Sequence, residues 1–392
     1  MLACLTPLAA WLAIAASAVA MQPMISCQED VAITVSATAS NLDIPGDLDL
    51  ASLTPADGEY VANLTATLPR KSITGIYTIA GRYCEPANAD PARQNTLQIL
   101  VHGITYDRNY WSGMGPPGHQ FNGTEYSWID FASKEGYPTL SIDRLCNGAS
   151  SKPNGLLECQ IPMNAETIHG VIQAARAGKI GGRKFSKIIY VGHSEGSFTG
   201  NELAQLHPKD VDTYVLTGFT PLLVLGAIGT ILVGDFTPAL LVDKTRSPPS
   251  LDPTYTIATS QTGVTGVFYF GDFNTLAADH DYSFRGTVTL GEFVSALLGQ
   301  LPAPGFTGSV FALTGQEDQI VCARLPTDPL VGYRGNCGSG PSSYTAKTRN
   351  LYPNAASFGY GLVPNTGHDM NFHYTAQQTF QMAHDYLSSQ GY

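Results

Sequence analysis

The sequence predicts an α/β protein in which a mostly parallel central sheet is flanked by helices and interrupted by one long insertion. Three observations carry this reading. Short apolar runs with strand character alternate with helical patterns over most of the chain. The run Lys187 to Val191 passes directly into the turn Gly192-His193-Ser194-Glu195-Gly196 and then a helix. The alternation breaks once, between Thr220 and Thr307. Strands separated by helices of this length build βαβ units, whose parallel sheets need helices on both faces.

Taken in order, Glu59 to Thr65 and Thr74 to Tyr83 alternate apolar and polar residues across a turn at Pro69 to Ser72, which predicts two antiparallel strands at a sheet edge. Leu97 to Val101 is a continuous apolar run ending in His102-Gly103, the pattern of a strand buried on both faces. A helix over Tyr126 to Lys134 and a strand over Pro138 to Ile142 follow, the latter ending at Asp143-Arg144. Ala165 to Ala177 is a helix with Asn164 as its N-cap, Ile168, Val171, Ile172 and Ala175 on one face, and Gly178 as its stop. After the turn at residues 192–196 come a helix from about Ser197 to Leu206, strands over Tyr214 to Thr217, Val310 to Thr314 and Phe358 to Val363, and a closing helix over Tyr374 to Ser388. The insertion has an apolar start, Pro248-Pro249, the aromatic cluster Phe268-Tyr269-Phe270 and an apolar helix over Leu290 to Leu301, and it reads as a cap.

The charge balance of 21 basic and 32 acidic residues repels polyanions, and no cluster of Lys or Arg marks a nucleic-acid surface. At the start of the chain, an apolar run from Leu8 to Ala16 too short for a membrane span ends in Ser17-Ala18-Val19-Ala20. It reads as a signal peptide cleaved after Ala20; because no Lys or Arg precedes the run, an uncleaved anchor is the rival reading. No later segment reads as a span: the most apolar, Leu222 to Val233, is short and holds Gly226 and Gly229. Cleavage would remove Cys4 and leave Cys27, Cys84, Cys146, Cys159, Cys322 and Cys337, an even set that in an exported chain implies disulfides. Sequence alone does not choose among the pairings; taking near neighbours in order gives Cys27 with Cys84, Cys146 with Cys159 and Cys322 with Cys337. None of these cysteines has zinc-ligand spacing or a nearby histidine. Asn63 and Asn122 head sequons and are glycosylation candidates in an exported chain.

The chemistry centres on Ser194. Glycines at the flanking positions allow the tight strand-to-helix turn that exposes a hydroxyl, and the following helix aims its N-terminal N–H groups at the same point. A serine hydroxyl is a weak nucleophile and needs a base, which in turn needs an orienting group. His368, in the loop Asn365-Thr366-Gly367-His368-Asp369 after the last strand, is the candidate base. Asp318, in Gly315-Gln316-Glu317-Asp318 after the preceding strand, is the candidate acid, with Glu317 as its rival. The order Ser, acid, His is the one a nucleophile elbow of this type uses. The N–H groups of Ile104 and Glu195 are the candidate oxyanion donors. Tyr106, Trp111 and His193 are candidates for lining the substrate pocket, with packing the preferred role for Tyr106, Asp107 and Trp111.

The strings Val101-His102-Gly103-Ile104-Thr105-Tyr106-Asp107-Arg108-Asn109-Tyr110-Trp111, Asp143-Arg144-Leu145 and Gly192 to Gly196 resemble the α/β-hydrolase superfamily, and look like its secreted fungal members. The resemblance covers about Thr74 to the C-terminus apart from the cap, and implies a lipase-like or esterase-like activity, in some members linked to secondary metabolism. One departure is Cys146, where relatives more often carry glycine. The expected organisation is a signal peptide at 1–20, an N-terminal extension at 21–58, and a catalytic domain at 59–392 with the cap at about 220–307. The expected activity is hydrolysis of a carboxylic ester of small-molecule or lipid-like kind by a secreted enzyme that needs neither cofactor nor metal and, once its leader is removed, has no integral membrane segment. The same triad would also serve an acyltransferase, lactonase or thioesterase. A peptidase lacks an acidic cluster for the substrate amine, and a non-catalytic binding module of this fold would not need all three residues.

Overall fold

A computed structural model describes residues 25–46, 65–222, 234–323 and 335–392. The expected signal peptide, Asn63, all but the last residue of the strand expected at Glu59 to Thr65, and nearly all of Leu222 to Val233 lie outside the described residues; Thr65 is helical.

Eight strands form the main sheet: β1 (Ser26–Leu42), β2 (Arg70–Glu85), β3 (Thr96–Val101), β4 (Thr139–Ile142), β5 (Lys187–His193), β6 (Thr213–Thr217), and, past the insertion, β10 (Ser309–Gly315) and β11 (Ser357–Val363). Their order is β1-β2-β4-β3-β5-β6-β10-β11, with β2 antiparallel to both neighbours and every later pair parallel. Burial follows position. In β3, β4 and β6 every residue is buried, as strands covered on both faces must be. In β1, Val31, Ile33, Val35, Ala37 and Ala39 are buried while the residues between them are exposed, the period-two pattern of a strand covered on one face. The sheet therefore begins before residue 59, inside the stretch read from sequence as an extension. Cys27 faces Cys84 in the β1–β2 register, and the two are bonded.

Parallel crossovers are right-handed, so the direction of each connection fixes the face of its helix. The helix α1 (Trp128–Lys134) carries the chain from β3 back toward β2, whereas α2 (Ile161–Arg176) and α3 (Glu195–Leu206) carry it the other way. Hence α1 lies on one face, where Trp128 packs against Phe380 and His384 of the closing helix, and α2 and α3 lie on the other. The helix α2 starts at Ile161 rather than Ala165, and Asn164 is inside it rather than at its cap. Pro162 costs nothing in a first turn, where its missing N–H has no intrahelical acceptor, and the Ile161 N–H donates to Ser295 Oγ at 2.9 Å.

The insertion has its own three-stranded antiparallel sheet, β7 (Phe236–Pro238), β8 (Tyr255–Ala258) and β9 (Val288–Thr289), and the helices α4 (Gln261–Phe268), α5 (Thr275–Phe284) and α6 (Leu290–Ser295). The helix expected over Leu290 to Leu301 is α6 followed by a 3₁₀ turn at Ala296–Gln300. The start is fixed by a capping box, in which the Thr289 side chain accepts from the Glu292 N–H and Glu292 accepts from the Thr289 N–H. The end tightens because the Asn201 side chain of α3 donates to the carbonyls of Gly299 and Leu301, drawing the last turn onto α3. The chain closes with α7 (Ala376–Ser389). Cys146–Cys159 and Cys322–Cys337 are the other two disulfides. Cys146 has φ +77°, a left-handed conformation that favours glycine. Among the described residues, no helix is long and apolar enough to cross a membrane.

Candidate active site

Strand β5 ends at His193 and α3 begins at Glu195, so Ser194 alone turns the chain. It does so at φ +52° and ψ −120°, a region a side chain occupies only when its surroundings hold it there. They do: the Ser194 N–H donates to Thr217 O at 2.9 Å, and the Ser194 carbonyl accepts from the N–H groups of Ser197 and Phe198 at 2.7 and 3.1 Å. The flanking glycines are required by space. A Cβ on Gly196 would stand 2.1 Å from Val101 O, and one on Gly192 2.7 Å from Ser197 N. A Cβ on Gly103 would stand 2.9 Å from Ser194 Cβ, so the loop after β3 lies directly against the serine.

Asp318 and His368 follow β10 and β11, adjacent parallel strands that end on the same side as β5. His368 Nδ1 is 2.7 Å from Asp318 Oδ2, and both residues are buried. The other carboxylate oxygen, Oδ1, accepts from the N–H groups of Ile320 and Val321 at 2.8 and 3.0 Å, which locks the acid in place. Glu317 turns away and accepts from the Thr366 N–H at 3.2 Å. With Asp318 ionised, His368 Nδ1 carries the proton and Nε2 keeps its lone pair; Nε2 is buried with no hydrogen-bond partner. The base loop stands beside the elbow: a Cβ on Gly218, next to the Thr217 that accepts from Ser194, would be 3.0 Å from Cε1 of both His368 and His193. Glu195 is the first residue of α3, so its N–H has no intrahelical acceptor.

Among solved structures, the chain is similar to a protein described as a non-heme bromoperoxidase from Mycobacterium tuberculosis, at TM-score 0.50 and 14% identity, over 80% of this chain and 97% of that one. The chain has the α/β-hydrolase fold. A thermophilic esterase from Thermogutta terrifontis (TM-score 0.48, 14% identity, 81% and 96% covered) and a protein described as a lipase from Acinetobacter baumannii (0.47, 15%, 88% and 98%) are also similar. No family model matches the chain, and no curated protein matches it.

Within this hydrolase fold, the structure adds a buried arginine that motif reading passed over. Arg144, fully buried at the end of β4, donates from Nη2 to Glu195 Oε2 and from Nη1 to Glu292 Oε1, both at 2.7 Å. It also donates to the carbonyls of His102 at 3.0 Å and Gly103 at 3.2 Å, and its N–H donates to His102 Nε2 at 3.1 Å. One side chain thus joins the loop against Ser194, the residue after Ser194, and α6 of the insertion. Glu292 accepts from four donors, the others being Asn147 Nδ2 and the N–H and hydroxyl of Thr289. Glu195 has an unpartnered Oε1, and burial, only partly offset by Arg144, pushes its carboxyl up to about 8. The only signal in the sequence was Asp143-Arg144 at the end of a buried strand.

The aromatic candidates are placed as packing. Trp111 is fully buried, edge-on to Trp128 and Tyr110. His193 is buried with its ring stacked on Tyr110 at 4.6 Å and 5.0 Å from His368; burial first, then the neighbouring imidazoles, hold it well below its ordinary pKa and neutral. Tyr106 is buried and turns its hydroxyl to Asp281 and Asp369. A cavity of about 400 Å³ opens beside the insertion, with Asp107, Lys152, Arg246, Arg285 and Phe284 in its wall, and neither Ser194 nor His368 lines it. Among the described residues, one grouping, His169, His207 and Asp210, has ligand atoms close enough for a metal. Its two imidazoles stack at 3.8 Å and 13°, so their in-plane lone pairs do not converge on one ion in this arrangement.

Proposed function

We propose that this chain is a serine hydrolase that cleaves carboxylic esters of small-molecule or lipid-like kind, with Ser194 as nucleophile, His368 as general base and acid, and Asp318 as orienting acid. One observation carries the reading: beside a strained elbow bearing Ser194 lies His368, its Nδ1 held by Asp318 and its Nε2 buried and unpartnered. In the first half-reaction Ser194 Oγ bonds to the ester carbonyl carbon while its proton passes to His368 Nε2. Collapse breaks the bond to the alcohol oxygen, which takes that proton and leaves an acyl-enzyme. Water then attacks, again giving a proton to Nε2, and the proton returns to Ser194 as the carboxylic acid departs. The N–H groups of Ile104 and Glu195 would hold the oxyanion, with Arg144 fixing the loop that carries the former. The insertion at about 220–307 acts as the cap that selects the acyl and alcohol groups. The three disulfides and the exposed Asn122 sequon support an exported, glycosylated protein.

The test is labelling by a fluorophosphonate probe together with hydrolysis of p-nitrophenyl esters of graded chain length. Wild-type protein is expected to be labelled on Ser194 and to turn over one range of chain lengths, and folded Ser194→Ala to do neither. Full activity in Ser194→Ala would refute the mechanism.

A further inference from the structure

Next to His368 the chain holds two buried carboxyl groups that the mechanism above does not use. Asp369 follows His368 directly, and Asp281 comes from α5 of the insertion; both are buried. Two phenols stand between them. Tyr269 Oη is 2.8 Å from Asp281 Oδ2 and 2.9 Å from Asp369 Oδ2, and Tyr106 Oη is 3.3 and 3.1 Å from the same two atoms. Each hydroxyl has one proton to give, so two protons serve four oxygen–oxygen contacts. The two Oδ2 atoms, each within hydrogen-bond reach of the same pair of hydroxyls, face each other across a small four-oxygen ring. Two carboxylates held this way out of water cannot both be ionised.

We propose that Asp281 and Asp369 share one proton, and that the resulting single negative charge makes Asp369 a positioning residue for His368, a second anionic neighbour, besides Asp318, for the imidazolium formed during acyl transfer. The second half of this inference rests on the serine-hydrolase reading; the shared proton does not. The groups facing the pair are Tyr106 and Tyr110 from the loop after β3, Tyr269 from the segment after α4, and His368 from the base loop itself. His373 meets Asp369 at its backbone carbonyl through Nδ1, and its Nε2 accepts from the N–H groups of Phe270 and Gly367. Burial is the largest influence on both carboxyls and pushes both up, Asp281 well above its ordinary range with the Asp369 charge adding to the effect, while the His368 charge acts on Asp369 in the opposite sense. Sharing a proton also explains how the insertion can place a carboxyl against the base loop without repulsion.

Two amide variants separate this from simple packing, because isosteric substitutions in a purely structural cluster would behave alike. Asp369→Asn removes the charge next to His368 and is expected to lower kcat about tenfold with KM held, less than loss of a direct oxyanion donor. Asp281→Asn supplies a neutral donor and leaves the single negative charge wholly on Asp369, so the His368 imidazolium is favoured more strongly and the acidic limb of the kcat profile is expected to move to higher pH, whereas Asp369→Asn moves it to lower pH. Equal effects of the two on kcat and on that limb would overturn the electrostatic role. The proton is read independently of activity by infrared difference spectra at pH 7, wild-type minus Asp281→Asn, in which the Glu195 carboxyl, pushed up to about 8, cancels: a protonated-carboxyl band present in wild-type protein and lost in Asp281→Asn is expected. Absence of that band overturns the shared proton. A band in a protein that neither labels with the probe nor turns over esters would instead refute the serine-hydrolase reading and leave the pair in place.

Discussion

Replacing Arg144 by methionine, which keeps much of the volume and removes the guanidinium, tests how the machinery around Ser194 is held together. The substitution strands Glu195, Glu292 and the carbonyl of His102, while the Gly103 carbonyl keeps the His102 Nδ1–H as a donor at 2.8 Å. The Glu195 carboxyl is pushed up to about 8, and Glu292 keeps Asn147 and Thr289 as donors. Removing one partner of a buried ion pair costs about 3–5 kcal/mol, and those remaining donors place this case near 3. The stranded His102 carbonyl adds about 1 kcal/mol. The expected loss is therefore about 4 kcal/mol at pH 7, measured by urea unfolding followed through tryptophan fluorescence. It should be smaller at pH 5 than at pH 8, since acidification lets the stranded carboxylate take up a proton. If the variant falls below the threshold for folding, Arg144→Lys, which keeps a charge but loses the fork, should show a smaller loss of the same pH sense. A loss under about 1 kcal/mol, or one equal at pH 5 and pH 8, would refute the assignment of Arg144 as the charged centre of this junction.

Three further outcomes follow from the same coordinates. Asp318→Asn leaves His368 in the wrong tautomer and should lower kcat by about 10⁴, whereas Glu317→Gln, whose carboxylate touches only the Thr366 N–H, should change it about threefold or less; a reversed ranking in ester turnover would reassign the acid. Because the Glu195 carboxyl is raised in the folded state, the stability it supports is full below its unfolded value near 4.5 and is lost as pH rises through about 8, so Glu195→Gln should flatten the decline in unfolding free energy between pH 5 and pH 8. Cys322 and Cys337, separated by 15 positions, close the loop that begins at Asp318, and Cys322→Ala with Cys337→Ala should cost about 3 kcal/mol by loop entropy and lower kcat as well; thermal unfolding and turnover of the double variant check both.

What could be read from the sequence was what is local. The nucleophile turn is five consecutive residues whose glycines answer to contacts with Val101 and Ser197, and the acid and base loops follow directly from apolar strands. The alternation of β1 was equally visible in Val31 to Ala39, but its partner β2 begins 28 residues after it ends, and pairing across that gap is not a local property. The proximal pair expected at Glu59 was the nearer choice and missed the one the sheet uses. The start of α2 was misplaced for a different reason: Asn164 has the chemistry of a cap, but Pro162 in the first turn and Ser295 from the insertion satisfy the end one turn earlier. Arg144 and the pair of aspartates were illegible because their meaning lies in partners far away in sequence, 148 residues for Arg144 with Glu292 and 100 for Tyr269 with Asp369.

Those two long-range junctions bear on how the insertion works. It meets the rest of the molecule at Glu292, on the side of the loop that carries Ile104, and at Tyr269 and Asp281, on the side of the base loop. Both contacts are buried and polar, and separating either exposes groups whose partners are already desolvated, so each resists opening more than an apolar contact of equal area would. A rigid swing of the whole insertion away from Ser194 must break at least one of them, at a cost of several kcal/mol by the reasoning applied to Arg144. Ester entry by local rearrangement within the insertion leaves both intact. On the proposed hydrolase reading, the Arg144 junction and the shared proton would therefore hold the loop that carries Ile104 and the loop that carries His368 in register with each other while the insertion between them rearranges locally.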